Sequence, residues 1–136
     1  MHNAPSLRED SDLISAAQRW ADTLASTCSG LRHDDNRPSD QGENLFACGF
    51  SSDEPCASAD GAVRSWYDEV ALYSDGMGFT NETGHFTQVV WKSTTAVGCA
   101  DSAPCTPSDN EDFNWQYVVC RYSPPGNVNG QFSQNV

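Results

Sequence analysis

The chain is 136 residues long and carries a formal net charge of −12, with seven Lys and Arg against nineteen Asp and Glu. That length fits one domain with a core of its own, and the charge excludes a general grip on nucleic-acid phosphates or on anionic membranes. No run reaches the roughly 20 apolar residues of a membrane span, and six cysteines in so short a chain point to oxidised pairs.

Leu13, Ala16, Ala17, Trp20, Ala21 and Leu24 recur at helical spacing, so a first helix is predicted, capped by Ser11 or Asp12. The polar stretch from Ser29 to Gly42 reads as loop, and so does Cys48 to Cys56, closed by Pro55. A second helix is expected from about Ala57 to Leu72, with Ala59, Ala62, Val63, Trp66 and Val70 on one face. Ser74-Asp75-Gly76-Met77-Gly78 breaks it, and His85 to Trp91 reads as a short third helix. Thr95 to Ala100 and Trp115 to Tyr122 are rich in β-branched or aromatic residues and read as strands. A polar insert from Pro104 to Asp112 connects them, and Pro124-Pro125-Gly126-Asn127 ends the second. Helices first and strands later indicate α+β packing in a single domain over 1–136 rather than a parallel βαβ sheet.

Trp20, Trp66, Trp91 and Trp115 read as core. Asp109, Glu111 and Asp112 read as a solvated run, without the spacing and glycine of an EF-hand loop. Cys-x-x-Cys is absent, which argues against a zinc ribbon or a thioredoxin-like site. Three bridges, each worth about 2–4 kcal/mol, fit an extracellular protein. No signal peptide opens the sequence, as in a mature or trimmed form. Asn81-Glu82-Thr83 is a glycosylation sequon suited to a secreted surface loop.

Of three histidines, His2 lies in a frayed terminus, His33 follows the first helix beside Asp34 and Asp35, and His85 opens the third helix. Glu43 sits in Gly42-Glu43-Asn44-Leu45. Glu69 comes three residues after Trp66, on nearly the same helix face, so it needs a partner, for which His85 is the natural choice.

Gly84-His85-Phe86-Thr87-Gln88-Val89-Val90-Trp91 resembles the first signature of the CAP superfamily, the cysteine-rich secretory, antigen 5 and pathogenesis-related class 1 proteins. Tyr117-Val118-Val119-Cys120-Arg121-Tyr122-Ser123-Pro124-Pro125-Gly126-Asn127 resembles its second signature. Gly42-Glu43-Asn44-Leu45 and Trp66-Tyr67-Asp68-Glu69 resemble its two inner motifs. Four motifs in order cover nearly the whole chain. The wording of Val89 to Gly98 and the Asn135-Val136 ending resemble most the fungal branch, which includes the yeast Pry sterol-export proteins.

The resemblance implies a secreted protein folded as a three-layer α-β-α sandwich with a central antiparallel sheet. It implies a cavity tetrad of His33, Glu43, Glu69 and His85, and disulfides Cys28–Cys105, Cys48–Cys56 and Cys99–Cys120. Two departures stand out. Asp34 follows His33 where serine is usual, and the chain starts near the end of a first helical segment that carries His-Asn-x-x-Arg, imitated by Met1-His2-Asn3, as if that helix were trimmed.

Three functions follow as expectations. The first is a binding protein for a small hydrophobic ligand such as a sterol or fatty acid, acting in host interaction or defence. Its ligand-binding loop runs from Tyr73 through Met77 to Phe79, with Asp75 where an aromatic is expected, a costly placement unless that carboxylate meets water. The second is a divalent-metal site, with zinc on His33 and His85; as a hydrolase it would use Glu43 or Glu69 as general base. No His-Glu-x-x-His or Gly-x-Ser-x-Gly motif supports that chemistry, so no enzyme is expected. The third is an effector whose surface binds a host or receptor protein while the cavity is idle. A monomer or weak dimer is expected.

Overall fold

A computed structural model describes residues 2–51 and 58–136 of the chain. The first helix, α1 (Ser11–Thr27), follows the expected apolar spacing and buries Leu13, Ala16, Ala17, Ala21 and Leu24. Its cap is Asp10 rather than Ser11 or Asp12: the Asp10 side chain accepts from the amides of Asp12 and Leu13. The carboxylate two residues before Asp12 reaches the first free N–H groups, whereas Ser11 and Asp12 are already helical. Cys28 ends the helix in the left-handed conformation.

Four strands form one sheet in the order β1-β3-β4-β2, where β1 is Arg8–Glu9, β2 Gly42–Phe50, β3 Ala96–Asp101 and β4 Asn114–Ser123. β4 pairs antiparallel with both β2 and β3, while the short edge strand β1 runs parallel to β3. The sheet is thus mixed at one edge. The predicted strands fall within a residue of β3 and β4. β2 corrects the reading of Cys48 onward as loop, since Cys48, Gly49 and Phe50 pair with Gln116, Trp115 and Asn114.

Side chains of β4 alternate between two cores, as a strand sandwiched between helical layers requires. Tyr117 and Val119 pack with Ala17, Ala21 and Leu24 of α1 and with Leu45. Val118, Cys120 and Tyr122 pack with Ala62 and Trp66 of α2 (Ala59–Asp68). The expected second helix is therefore shorter, and Glu69–Leu72 continues it as a 3₁₀ turn. Ala57, its expected start, lies outside the described residues. α3 spans Gly84–Val89, and a last turn, α4, spans Phe132–Asn135. The result is an α-β-α sandwich, with α1 on one face and α2 and α3 on the other.

Disulfides Cys28–Cys105 and Cys99–Cys120 form as expected. Cys99 and Cys120 lie directly opposite each other on β3 and β4. The expected Cys48–Cys56 bridge involves Cys56, outside the described residues. Trp66 and Trp91 are core residues, whereas Trp20 and Trp115 are partly buried at its margin. Asp109, Glu111 and Asp112 are exposed.

Candidate functional site

The four tetrad side chains form two His–Glu pairs. His33 Nδ1 lies 2.6 Å from Glu43 Oε1, and His85 Nδ1 lies 2.7 Å from Glu69 Oε1. A carboxylate can only accept, so Nδ1 carries the proton in both rings and Nε2 is left for whatever enters. Both histidines line one cavity of about 160 Å³, shared with Asn44, Phe79, Asn81 and Asn127.

Each pair is braced by the fold. The His85 ring stacks on Trp66 at 5.9 Å, and the Trp66 indole donates to the backbone oxygen of Leu45. The Phe86 amide donates to Glu69 Oε2 at 3.0 Å, so both oxygens of Glu69 are engaged. Asn44 donates to the His85 carbonyl, and Asn127 donates to the Gly84 carbonyl while accepting from Thr87. A Cβ at Gly84 would press on the half-exposed ring of Phe79, which would have to shift.

Glu43 is held more tightly. Its side chain is fully enclosed. Oε1 accepts from His33, from the Asp34 amide at 3.2 Å and from Arg37 Nη1 at 3.3 Å. Arg121 stands opposite Glu43 in the β2–β4 register, with Nε 2.8 Å from Oε2. Neither of those two buried atoms makes an aligned hydrogen bond, so their contact is an ion pair without the directional component. The Arg121 fork also reaches Asp34 Oδ2 at 2.8 Å and Gln41 Oε1 at 3.1 Å.

Arg121, Arg37 and Gln41 escaped the sequence reading. The available signal was an arginine directly after the apolar run Val118-Val119-Cys120 and before Tyr122, which a central strand can bury only if it is paired. Asp34 turns out to be structural. Burial pushes its carboxyl up, but hydrogen bonds from Arg121 and the Asn36 amide, with the charges of Arg121 and Arg37, outweigh this and hold it below the usual carboxylate range.

The other predicted residues lie nearby. Tyr73 is half-buried with its ring 5.4 Å from that of Phe86, and burial followed by the charge of Asp75 pushes its phenol up. Met77 and Phe79 are exposed, as is Asp75. Asn81 is exposed at the cavity, while Thr83 of the same sequon is buried. His2 meets Tyr67 and Phe86 edge-on and is not among the residues lining the tetrad cavity. Among the described residues, no group of three or more His, Cys, Asp or Glu is placed to hold a metal ion. The donors open to one are the two imidazoles.

This fold, with paired His–Glu groups at one end of the sheet, defines a class. The chain belongs to the cysteine-rich secretory protein (CAP) family, whose model matches residues 1–122. It is 39% identical over 137 residues to a probable pathogenesis-related protein of Candida albicans, covering 100% of this chain and 59% of that one. It is 42% identical over 139 residues to the secreted protein PRY1 of Candida albicans, covering 99% of this chain and 28% of that one. The chain thus spans less than two thirds of either relative. Among solved structures, the crystal structure of NaASP2 with Zn2+ matches with a TM-score of 0.65 at 28% identity, over 92% of this chain and 63% of that one. No described helix is long and apolar enough to cross a membrane.

Proposed function

We propose that the chain is a secreted, non-enzymatic binding protein that holds a small hydrophobic ligand, a sterol or a fatty acid, against the loop of residues 73–79, in host interaction or defence. The observation that supports this reading is the loop's surface. Leu72, Met77 and Phe79 are 60%, 42% and 52% exposed, and Asp75 between them is exposed as well. A carboxylate in water carries no desolvation cost, so Asp75 does not oppose an apolar ligand on its neighbours. Full burial of a Phe is worth about 1.5–3 kcal/mol, and half-exposed Phe79 has roughly half of that still to gain.

Titration of the disulfide-intact protein with dehydroergosterol and with parinaric acid tests the proposal. Binding of at least one probe is expected, weakened about fivefold by Phe79→Ala. Binding of neither, beside a relative that binds both, overturns it.

A second reading, divalent metal in the cavity, is favoured by the two carboxylate-tethered imidazoles and by the likeness to NaASP2, whose structure was solved with Zn2+. Two imidazoles completed by water make a weak zinc site. Neither carboxylate suits a general base, since both oxygens of each are already engaged. NMR of the histidine rings during zinc titration tests the metal reading. Shifts at His33 and His85, lost in His85→Ala, are expected, and unmoved rings overturn it.

A further inference from the structure

We infer that a cavity at the other end of the sheet is a second ligand site, built for a small organic ammonium with an aromatic or branched apolar body. The cavity measures about 610 Å³ and lies between the C-terminus of α1 and the connection from β3 to β4. Ala47, Trp115 and Tyr117 line it from the sheet, and Leu31 and Pro107 from the loops. At about 3.4 Å per residue, Trp115 lies about 20 Å along β4 from Arg121 and the tetrad. It also faces the α1 layer, whereas the 73–79 loop joins the layer of α2 and α3. The site is therefore independent of the function proposed above.

Its walls are fixed before any ligand arrives. The Cys28–Cys105 disulfide joins its two sides, and the buried Tyr117 hydroxyl accepts from the Gly30 amide at 3.3 Å. Trp115 is braced edge-to-face by Phe113 at 5.7 Å. A volume of this size suits a small ligand, and a preformed wall lowers the ordering cost of binding. Leu31 is 46% exposed at the rim, so it has apolar surface left to cover.

The charge of the occupant follows from what faces the cavity. Asp109 is the charged side chain among the described lining residues. α1 directs the negative end of its dipole here, with no basic residue in its last turn. Arg32, next to Leu31, is the opposing charge: its guanidinium lies over Trp20 at 5.1 Å and donates to the hydroxyl of the lining residue Thr27 at 3.4 Å, without lining the cavity itself. The net charge of −12 adds a field of the same sign. An ammonium gains from Asp109, the helix end and the indole face together. A carboxylate ligand would be repelled by the first two.

Calorimetry on the disulfide-intact protein with tryptamine, its neutral isostere 3-ethylindole and indole-3-acetate provides the test. Tryptamine should bind about tenfold tighter than 3-ethylindole, with indole-3-acetate weakest. Amide shifts should centre on Gly30, Leu31, Ala47 and Trp115. Asp109→Asn, on an exposed loop, should cut the preference for the amine at least threefold and leave 3-ethylindole unchanged. Ala47→Leu, which fills the cavity, should weaken all binding. The inference is overturned by absent tryptamine binding, by equal affinity for amine and acid, by a preference that survives Asp109→Asn, or by shifts centred elsewhere.

Discussion

Replacing Arg121 with methionine is expected to destabilise the folded chain by about 3–5 kcal/mol, the usual cost of stranding one partner of a buried ion pair. Methionine can occupy most of the volume of the arginine stem, so the loss is electrostatic rather than a cavity. Three groups lose the guanidinium. Gln41 is neutral, and Asp34, with 18% of its side chain exposed, can be hydrated instead. Glu43 cannot, because none of its side chain is accessible. Its remaining partners are the Arg37 guanidinium at 3.3 Å, 29% exposed, and the His33 imidazole, 59% exposed, so both sit partly in water. Glu43→Gln is milder, about 1–3 kcal/mol, because Arg121 keeps Asp34 and Gln41. The double variant Arg121→Met/Glu43→Gln should cost less than the sum by about 1.5 kcal/mol or more, since the stranded charge is gone. Urea unfolding of the oxidised protein, followed by tryptophan fluorescence, gives all three values. An Arg121→Met value within about 1 kcal/mol of the parent, or strictly additive variants, would refute this account of the site.

Gly98→Ala places a Cβ against the backbone of Leu13 and Ile14, where α1 crosses β3, and overpacking there should cost at least the upper end of about 1–3 kcal/mol. A melting temperature equal to the parent's would show that α1 does not seat so closely. Leu24→Ala empties a fully buried position between α1 and the sheet, with an expected loss of about 2–5 kcal/mol by the same urea assay; a loss below 1 would place that core elsewhere. Asp34 has a folded pKa below its ordinary 3.8, so its contribution to stability is present above that value and is lost as pH falls through the folded one. Acid titration of stability should therefore steepen below about pH 4, and Asp34→Asn should flatten that limb. An unchanged limb would count against the Arg121–Asp34 contact.

Three of the helices, α1 to α3, and two of the strands were legible because their burial is one-sided or continuous; the short edge strand β1 and the last turn α4 were not expected. α1 shows its apolar stripe every three to four residues, and β4 is rich in aromatic and β-branched residues, with Trp115, Tyr117, Val118, Val119 and Tyr122. β2 was not, for a physical reason. Gly42-Glu43-Asn44-Leu45 buries two polar side chains, and Gly49 leaves a space that the Phe113 ring enters. Its pairing energy comes from β4, some seventy residues away, and no local period announces that. The tetrad itself came from motif resemblance, and the His85–Glu69 meeting also from helix-face spacing. The guanidinium behind Glu43 was hidden because it depends on register, which sets Arg121 opposite Glu43.

The order of groups within each pair bears on what the cavity can do. The imidazoles are outermost, with His33 59% and His85 35% exposed, and the carboxylates lie behind them at 0% and 20%. A general base would need the opposite order, with the carboxylate facing substrate. Carboxylates behind imidazoles instead orient the rings and strengthen them as metal ligands. Glu69→Gln separates these roles, because the amide oxygen can still accept from His85 Nδ1 while the charge is lost. On the metal reading, zinc affinity should fall about tenfold or more in this variant. Dehydroergosterol affinity should hold, because the loop residues Met77 and Phe79 keep their exposure. Unchanged zinc affinity would mean that Glu69 serves only to pin α3 through the Phe86 amide, and a parallel loss of sterol affinity would mean that cavity and loop act as one site.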